Sequence, residues 1–288
     1  MRAADILTDA RPSSGRAVPR PQLRMSPLKS ALSWASHAAR GAARSPANRR
    51  MLFNAIRLRR SEVAPLLDSR ELQFLAFAFS QRARSKSQIL QDLWVCFELE
   101  GRRNGFFVEF GATDGTTNSN TWLLEKMFGW SGILAEPNPI WQARLAANRS
   151  AQIDHRCVTS RSGELASFLA TDETDPELSG IAEFSAGDHF DAARSAGRML
   201  NIETVSLNDL LETHSAPSHI DYMSIDTEGS EYDILCNFDF SKYQVDLISV
   251  EQNPTTEPKI QNLLEKFGYS RVFKEYSQWD GWYVAPRG

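Results

Sequence analysis

One stretch constrains this chain more than any other: Phe106 to Thr121, reading Phe-Phe-Val-Glu-Phe-Gly-Ala-Thr-Asp-Gly-Thr-Thr-Asn-Ser-Asn-Thr. An apolar run ends at Gly111, Gly115 follows four residues later, polar side chains come next, and Trp122 to Phe128 has helical character. The pattern predicts a strand, a tight turn and a helix start. In such a unit glycine lets the backbone approach a ligand at the carboxyl end of the strand. The following helix offers free N–H groups and its positive dipole end. A nucleotide-type pocket is the chemistry this implies.

The next apolar run, Gly132 to Ala135, stops at Glu136, twenty-five positions after Gly111. That is near the spacing at which an acid on the second strand reaches ribose hydroxyls. The glycines nevertheless depart from the dinucleotide fingerprint, because Gly111-Ala112-Thr113-Asp114-Gly115 is not G-x-G-x-x-G. Glu109 also stands two residues before the turn, where a carboxylate would repel a pyrophosphate and attract an ammonium or sulfonium group. This favours S-adenosyl-L-methionine over NAD.

Val108 to Gly115, Glu136-Pro137-Asn138 and the later Ile225-Asp226-Thr227-Glu228-Gly229-Ser230-Glu231 together resemble the FkbM-type methyltransferases, over roughly residues 87–284. The resemblance implies O-methylation, often of sugars or natural-product hydroxyls. Glu109, Gly111, Ala112, Asp114, Gly115, Asn120, Glu136, Pro137, Asn138, Thr159 and Asp226 are the expected cofactor-binding residues. Asp226, Glu228 and Glu251 are the expected catalytic or acceptor-side residues, with Asp226 and Glu251 as candidates for the base that takes the acceptor proton.

Strands are expected at residues 106–110, 132–135, 153–158, 202–207, 220–225 and 245–250, with an antiparallel pair at 269–273 and 282–284. Helices are expected at 122–128, 139–148, 208–212, 232–238 and 256–267. This alternation predicts an α/β fold: a doubly wound, Rossmann-like sheet with helices on both faces, its strand ends sharing one rim. Gly111, Glu136, Asp226 with Glu228, and Glu251 would converge there. Acids gathered in this way require a cationic ligand, a divalent metal or a bound proton. The metal is the less favoured occupant, since the carboxylate spacing matches no known metal loop. The five histidines and three cysteines show no zinc spacing.

Residues 87–288 form the expected catalytic domain, interrupted by a polar insertion at about 171–200 that would act as a lid or binding loop. Residues 61–86 read as a helical lead-in. The helix expected at 87–97 carries Gln88, Gln91 and Asp92 on one polar face. Residues 1–60 hold twelve Arg and one Lys against two Asp, a net charge of +11 within a chain of −4. They are expected to form a basic, largely disordered tail, with a targeting segment, an upstream artefact of the start site, or contact with an anionic membrane as alternatives. No specific nucleic-acid partner is expected; a small-molecule or glycan acceptor is.

Cys96, Cys157 and Cys236 are widely separated, which predicts buried thiols in a reducing, cytoplasmic compartment. The oligomeric state is not encoded legibly. Two other readings compete: a non-catalytic adaptor on the same scaffold, and an NAD-dependent oxidoreductase.

Overall fold

The computed structural model describes residues 69–170, 179–181 and 198–286, together with Pro46 and Arg50. The expected tail apart from Pro46 and Arg50, residues 61–68 of the helical lead-in, and residues 171–178 and 182–197 of the insertion lie outside the described residues. The chain divides into two compact units, one of Met1–Arg11 and Phe77–Gly288, the other of Pro12–Ala76. Helix α1 (Arg70–Gln81) includes residues of both; every feature below belongs to the first.

That unit is built around seven strands: β1 (Phe106–Phe110), β2 (Ser131–Ala135), β3 (Gln152–Asp154), β8 (His219–Ile225), β9 (Gln244–Glu251), β10 (Ser270–Val272) and β11 (Asp280–Val284). Their order is β10-β11-β9-β8-β1-β2-β3. All pairings are parallel except those of β11, which runs antiparallel to both β9 and β10. The direction of winding reverses between β1 and β8, the topological switch point where such sheets bind ligands. A doubly wound, Rossmann-like fold with an antiparallel C-terminal pair is therefore what these residues form.

Strand parity assigns the two faces. Val108, Phe110, Ile133, Ala135, Met223, Ile225, Ile248 and Val250 share one core. Covering them are α5 (Leu207–Thr213), α6 (Glu231–Cys236) and α7 (Glu257–Lys266), through Leu210, Leu211, Ile234, Leu235, Ile260 and Leu264. On the opposite face α2 (Gln91–Glu98) supplies Trp94, which stacks on Trp282 at 5.0 Å and meets Tyr222 edge-on at 6.3 Å. Both tryptophans are fully buried. At roughly 150–250 Å² of burial per aromatic residue and about 25 cal/mol per Å², each contributes about 4–6 kcal/mol. Helices α3 (Trp122–Phe128) and α4 (Gln142–Asn148) complete the set.

Three expectations are corrected here. The single strand expected at 153–158 is two strands in two sheets. β3 ends at Asp154, and β4 (Cys157–Thr159) joins a second sheet of order β4-β7-β5-β6, with β5 (Leu165–Ala170), β6 (Gly180–Ile181) and β7 (Arg198–Ser206). Asp154 marks the corner, accepting from the backbone N–H of Arg156 at 2.9 Å and from its guanidinium at 3.0 and 2.6 Å. β7 also begins four residues earlier than the strand expected at 202–207. Among the thiols, Cys96 and Cys157 are buried but Cys236 is exposed. No described helix is long and apolar enough to cross a membrane.

Candidate functional site

The carboxyl ends of the parallel strands do form one rim. Phe110 pairs with Ala135, Ala135 with Asp154, and Ile225 with Val250, so Gly111, Glu136, Asp226 and Glu251 follow one another across it. β1 and β8 come closest at Gly111, whose φ is +71°. A Cβ there would stand 2.5 Å from the Asp226 carbonyl oxygen. Only glycine fits that position, on grounds of both dihedral and contact.

Gly111 opens onto a cleft lined from the main sheet by Phe110, Ala135, Pro137, Asp226 and Thr227. The second sheet supplies Cys157, Val158, Phe168 and Ile181 as an apolar wall, with Arg156 and Ser179. Sequence reasoning missed this wall. Phe168 and Ile181 carry no motif, and only the pairing of β5 with β6 brings them together, at Phe168↔Ile181.

The remaining turn residues organise the loop itself. Asp114 accepts from Thr116 N at 2.8 Å, Thr117 N at 2.7 Å and Thr117 Oγ1 at 3.1 Å, a self-closing turn. Ala112 is buried. Gly115, at φ +75°, lies against Arg149, whose Cγ would be 2.6 Å from a Cβ there. Asn120 donates from its amide to Ser224 Oγ at 2.9 Å.

Glu109 points away from the cleft, because neighbouring residues of a strand face opposite sides and Phe110 takes the cleft side. The carboxylate accepts from Asn120 N at 2.7 Å, Ser119 Oγ at 3.1 Å and Thr121 Oγ1 at 2.5 Å, and lies 3.5 Å from the Arg149 guanidinium. The expectation that Glu109 answers a cationic donor is thus corrected: its counter-charge is Arg149. That side chain is fully buried and also meets Glu125 at 2.7 Å, Thr121 Oγ1 at 2.7 Å, Ser119 Oγ at 3.0 Å and the Gly115 carbonyl at 3.2 Å.

Glu136 is buried, and its oxygens accept from Thr113 N and Asn138 N, each at 2.8 Å. It ties the loops after β1 and β2 together. Burial raises its pKa to about 7, against the lowering effect of those two N–H groups. Asn138 in turn donates to Ser179 Oγ at 3.1 Å, joining the loop after β2 to the second sheet. Thr159 does not line the cleft. Its hydroxyl donates to the Arg161 carbonyl at 2.8 Å and accepts from Arg161 N at 3.3 Å, closing its own turn beside a separate concavity. Gln91 and Asp92 are likewise buried and engaged, Gln91 with Asp280 at 3.0 Å and Asp92 with Ser85, Lys86 N and Ser87.

Past β8, Glu231 accepts from Thr227 N, Thr227 Oγ1 and Gly229 N at 3.0, 2.9 and 2.8 Å, so it holds the loop. Asp226, Glu228 and Glu251 are left facing one another, with an oxygen from each lying within 4.8 Å of the others. Asp226 is solvent-exposed at the rim, but partial loss of hydration beside the other acids still raises its pKa above the ordinary aspartate range. The charges of Glu251, Glu228, Asp280 and Glu231 add to the rise. Such a carboxylate is a better proton acceptor near neutral pH than an ordinary one.

The family model of the methyltransferase FkbM domain matches residues 109–273, more than half of the chain. Among solved structures the chain is similar to precorrin-6y C5,15-methyltransferase from Geobacter metallireducens GS-15, at 12% identity and TM-score 0.35 over 67% of this chain and 85% of that one. It is also similar to a fibrillarin/Nop5p complex, at 13% identity and TM-score 0.32 over 70% and 81% respectively. No curated protein matches it. The family match spans the glycine turn, the Glu136 loop and the acid-rich end of β8 on a sheet of the expected topology, and by it the chain belongs to the FkbM methyltransferase family.

Proposed function

We propose that this methyltransferase uses S-adenosyl-L-methionine to methylate a hydroxyl oxygen of a sugar or natural-product acceptor. The carrying observation is the approach of Gly111 to Asp226 at the mouth of the cleft, beside Glu228 and Glu251. The residues present fit the cofactor. Gly111 keeps its side of the cleft free of a side chain, Pro137, Val158, Phe168 and Ile181 offer apolar contact to a nucleobase, and the rim acids suit a cationic group. When bound, the cofactor supplies a methyl group activated on a positively charged sulfur.

The chain's own residues then have two tasks. The cleft excludes water from the nucleoside side, while Asp226 or Glu251 orients the acceptor hydroxyl and takes its proton as the oxygen becomes nucleophilic. Glu136 does not itself line the cleft but stands between Ala135 and Pro137, which do; its proposed role as the ribose contact uses the acceptor capacity that its two N–H partners leave. The close approach of the Asp226, Glu228 and Glu251 oxygens supports a second reading, in which a divalent cation of the Mg²⁺ class is held there and orients the acceptor. Incubation with S-adenosyl-L-methionine and a carbohydrate panel tests the proposal: S-adenosylhomocysteine should accumulate with the native protein and not with Asp226→Asn. Equal turnover by that variant would remove Asp226 from the mechanism.

A further inference from the structure

We infer that Trp279 is the platform on which the ring of a sugar acceptor rests, a specificity-determining residue on the methyl-accepting side of the site. Trp279 precedes β11 and lies six positions beyond the family-matched segment. Its carbonyl accepts from Gln252 N at 2.9 Å, and the next residue, Asp280, pairs with Glu251. The antiparallel return of β11 therefore sets Trp279 beside the end of β9, on the rim that carries Glu251, Glu228 and Asp226.

The indole is 45% exposed, whereas Trp94, Trp130, Trp141 and Trp282 are all buried. Its backbone is firmly held. Tyr276 N and Ser277 N both donate to the Phe273 carbonyl, at 2.8 and 3.1 Å, Asp280 N donates to the Ser277 carbonyl at 2.7 Å, and Ser277 is fully buried. Phe273 stacks on Tyr276 at 6.1 Å and packs edge-on against Trp282 at 6.3 Å. Because the backbone of the turn is already held, a ligand that settles on the open aromatic surface has only the side chain to order.

The apolar C–H face of a pyranose matches an aromatic ring, and the hydroxyls on its edge match the carboxylates of Glu251 and Glu228 as hydrogen-bond acceptors. Phosphorylated acceptors do not suit a rim of this charge.

The inference rests on the proposed sugar O-methylation, and one experiment separates the two. Methyl pyranosides of the common hexoses are titrated as acceptors against the full-length protein, its Trp279→Ala and its Trp279→Phe variants, following S-adenosylhomocysteine release. Cofactor affinity is measured in parallel by calorimetry. Trp279→Ala should raise the acceptor KM about tenfold with kcat and cofactor affinity unchanged, and Trp279→Phe should restore most of the loss. An unchanged KM in Trp279→Ala overturns the platform while leaving the methyltransferase reading intact. Turnover with none of the pyranosides, the native protein still binding the cofactor, overturns the sugar reading and the platform with it. Selective use of primary or tertiary amines as acceptors would overturn the sugar platform and reassign Trp279 to cation binding.

Discussion

Replacing Arg149 by Met separates two accounts of the glycine loop. Methionine keeps an unbranched stem under Gly115 but removes the guanidinium, whose polar contacts run to Glu125, Thr121, Ser119, Gly115 and Glu109. The side chain is fully buried, with Glu109 at 3% and Glu125 at 7% exposure, so the loss strands carboxylates that water cannot reach. Breaking a buried ion pair costs about 3–5 kcal/mol, and about five hydrogen bonds at about 1 kcal/mol net each give a similar total. For a unit of this size, about 2–4 °C per kcal/mol makes about 6–20 °C of thermal midpoint, readable by calorimetry or urea unfolding.

The pH dependence has a definite sign. Burial pushes the Glu125 pKa up, but Arg149, with Lys126 and Ser150 N, more than offsets this and leaves it below the usual value of 4.5. The stability Glu125 contributes is therefore present above about pH 4.5 and lost as the pH falls through the lowered folded value; in Arg149→Met that acid-side loss should shrink. Glu109→Gln completes the test, since it should lower stability, couple to Arg149→Met in a double-mutant cycle, and leave cofactor affinity unchanged at a temperature where both proteins are folded. Destabilisation below about 1 kcal/mol in Arg149→Met, or a selective loss of cofactor affinity in Glu109→Gln, would refute the network.

Gly111→Ala should abolish cofactor binding in whatever fraction folds, since its Cβ meets the Asp226 carbonyl at 2.5 Å with φ at +71°; calorimetric binding at native affinity would show that the strand ends can part. The rate of Asp226-dependent turnover should rise with pH through an apparent pKa above the ordinary aspartate range, and an acidic limb near pH 4 would argue against that carboxylate as base. Glu136→Ala should weaken cofactor binding by about 1–3 kcal/mol through the lost ribose contact, and unchanged affinity would withdraw that assignment. Because the folded pKa of Glu136 is raised from 4.5 to about 7, its stability contribution is fully present below pH 4.5 and declines as pH rises to about 7. Glu136→Gln should remove about 3 kcal/mol of that decline between pH 4.5 and 8, measured as urea-unfolding free energy; an identical pH slope would contradict the burial argument. Chelation with EDTA followed by Mg²⁺ addition decides the second reading of the rim, which requires turnover to fall and return.

The rim was legible in the sequence because its chemistry sits at strand ends, where an apolar run stops abruptly at Gly111, Glu136, Asp226 or Glu251. The wall opposite was not. Residues 153–158 are a nearly continuous strand-like run, and the corner between β3 and β4 depends on Asp154 meeting Arg156, with His214 2.9 Å away from a distant helix end. No local signal encodes that contact. Glu109 failed for a different reason: proximity to the turn was weighed, but parity along the strand was not. Phe110 and Glu109 are adjacent in the chain and face opposite sides of the sheet. The buried partner that could have corrected it, Arg149, lies forty residues away and looks like a surface arginine at the end of a helix.

The same parity explains how one protein handles acids in two ways within a short distance. Carboxylates on the face covered by helices α3 and α4 have no access to a ligand, so a permanent cation built into the chain must balance Glu109 and Glu125. Carboxylates at or just beyond the carboxyl ends of β8 and β9 project from the rim instead, where Glu231 accepts from backbone N–H groups and Asp226, Glu228 and Glu251 are close neighbours. Supplying a second internal arginine there would quiet the electrostatics and fill the space an acceptor needs. Desolvation at the rim and the neighbouring charges of Glu251 and Glu228 raise the Asp226 pKa, and the gathered acids keep the site favourable to a positively charged donor. An arginine introduced at Glu228 should accordingly lower the Asp226 pKa, move the acidic limb of the rate profile downward and weaken donor binding together; a shift in only one of the two would show that donor charge and base strength are set by different groups.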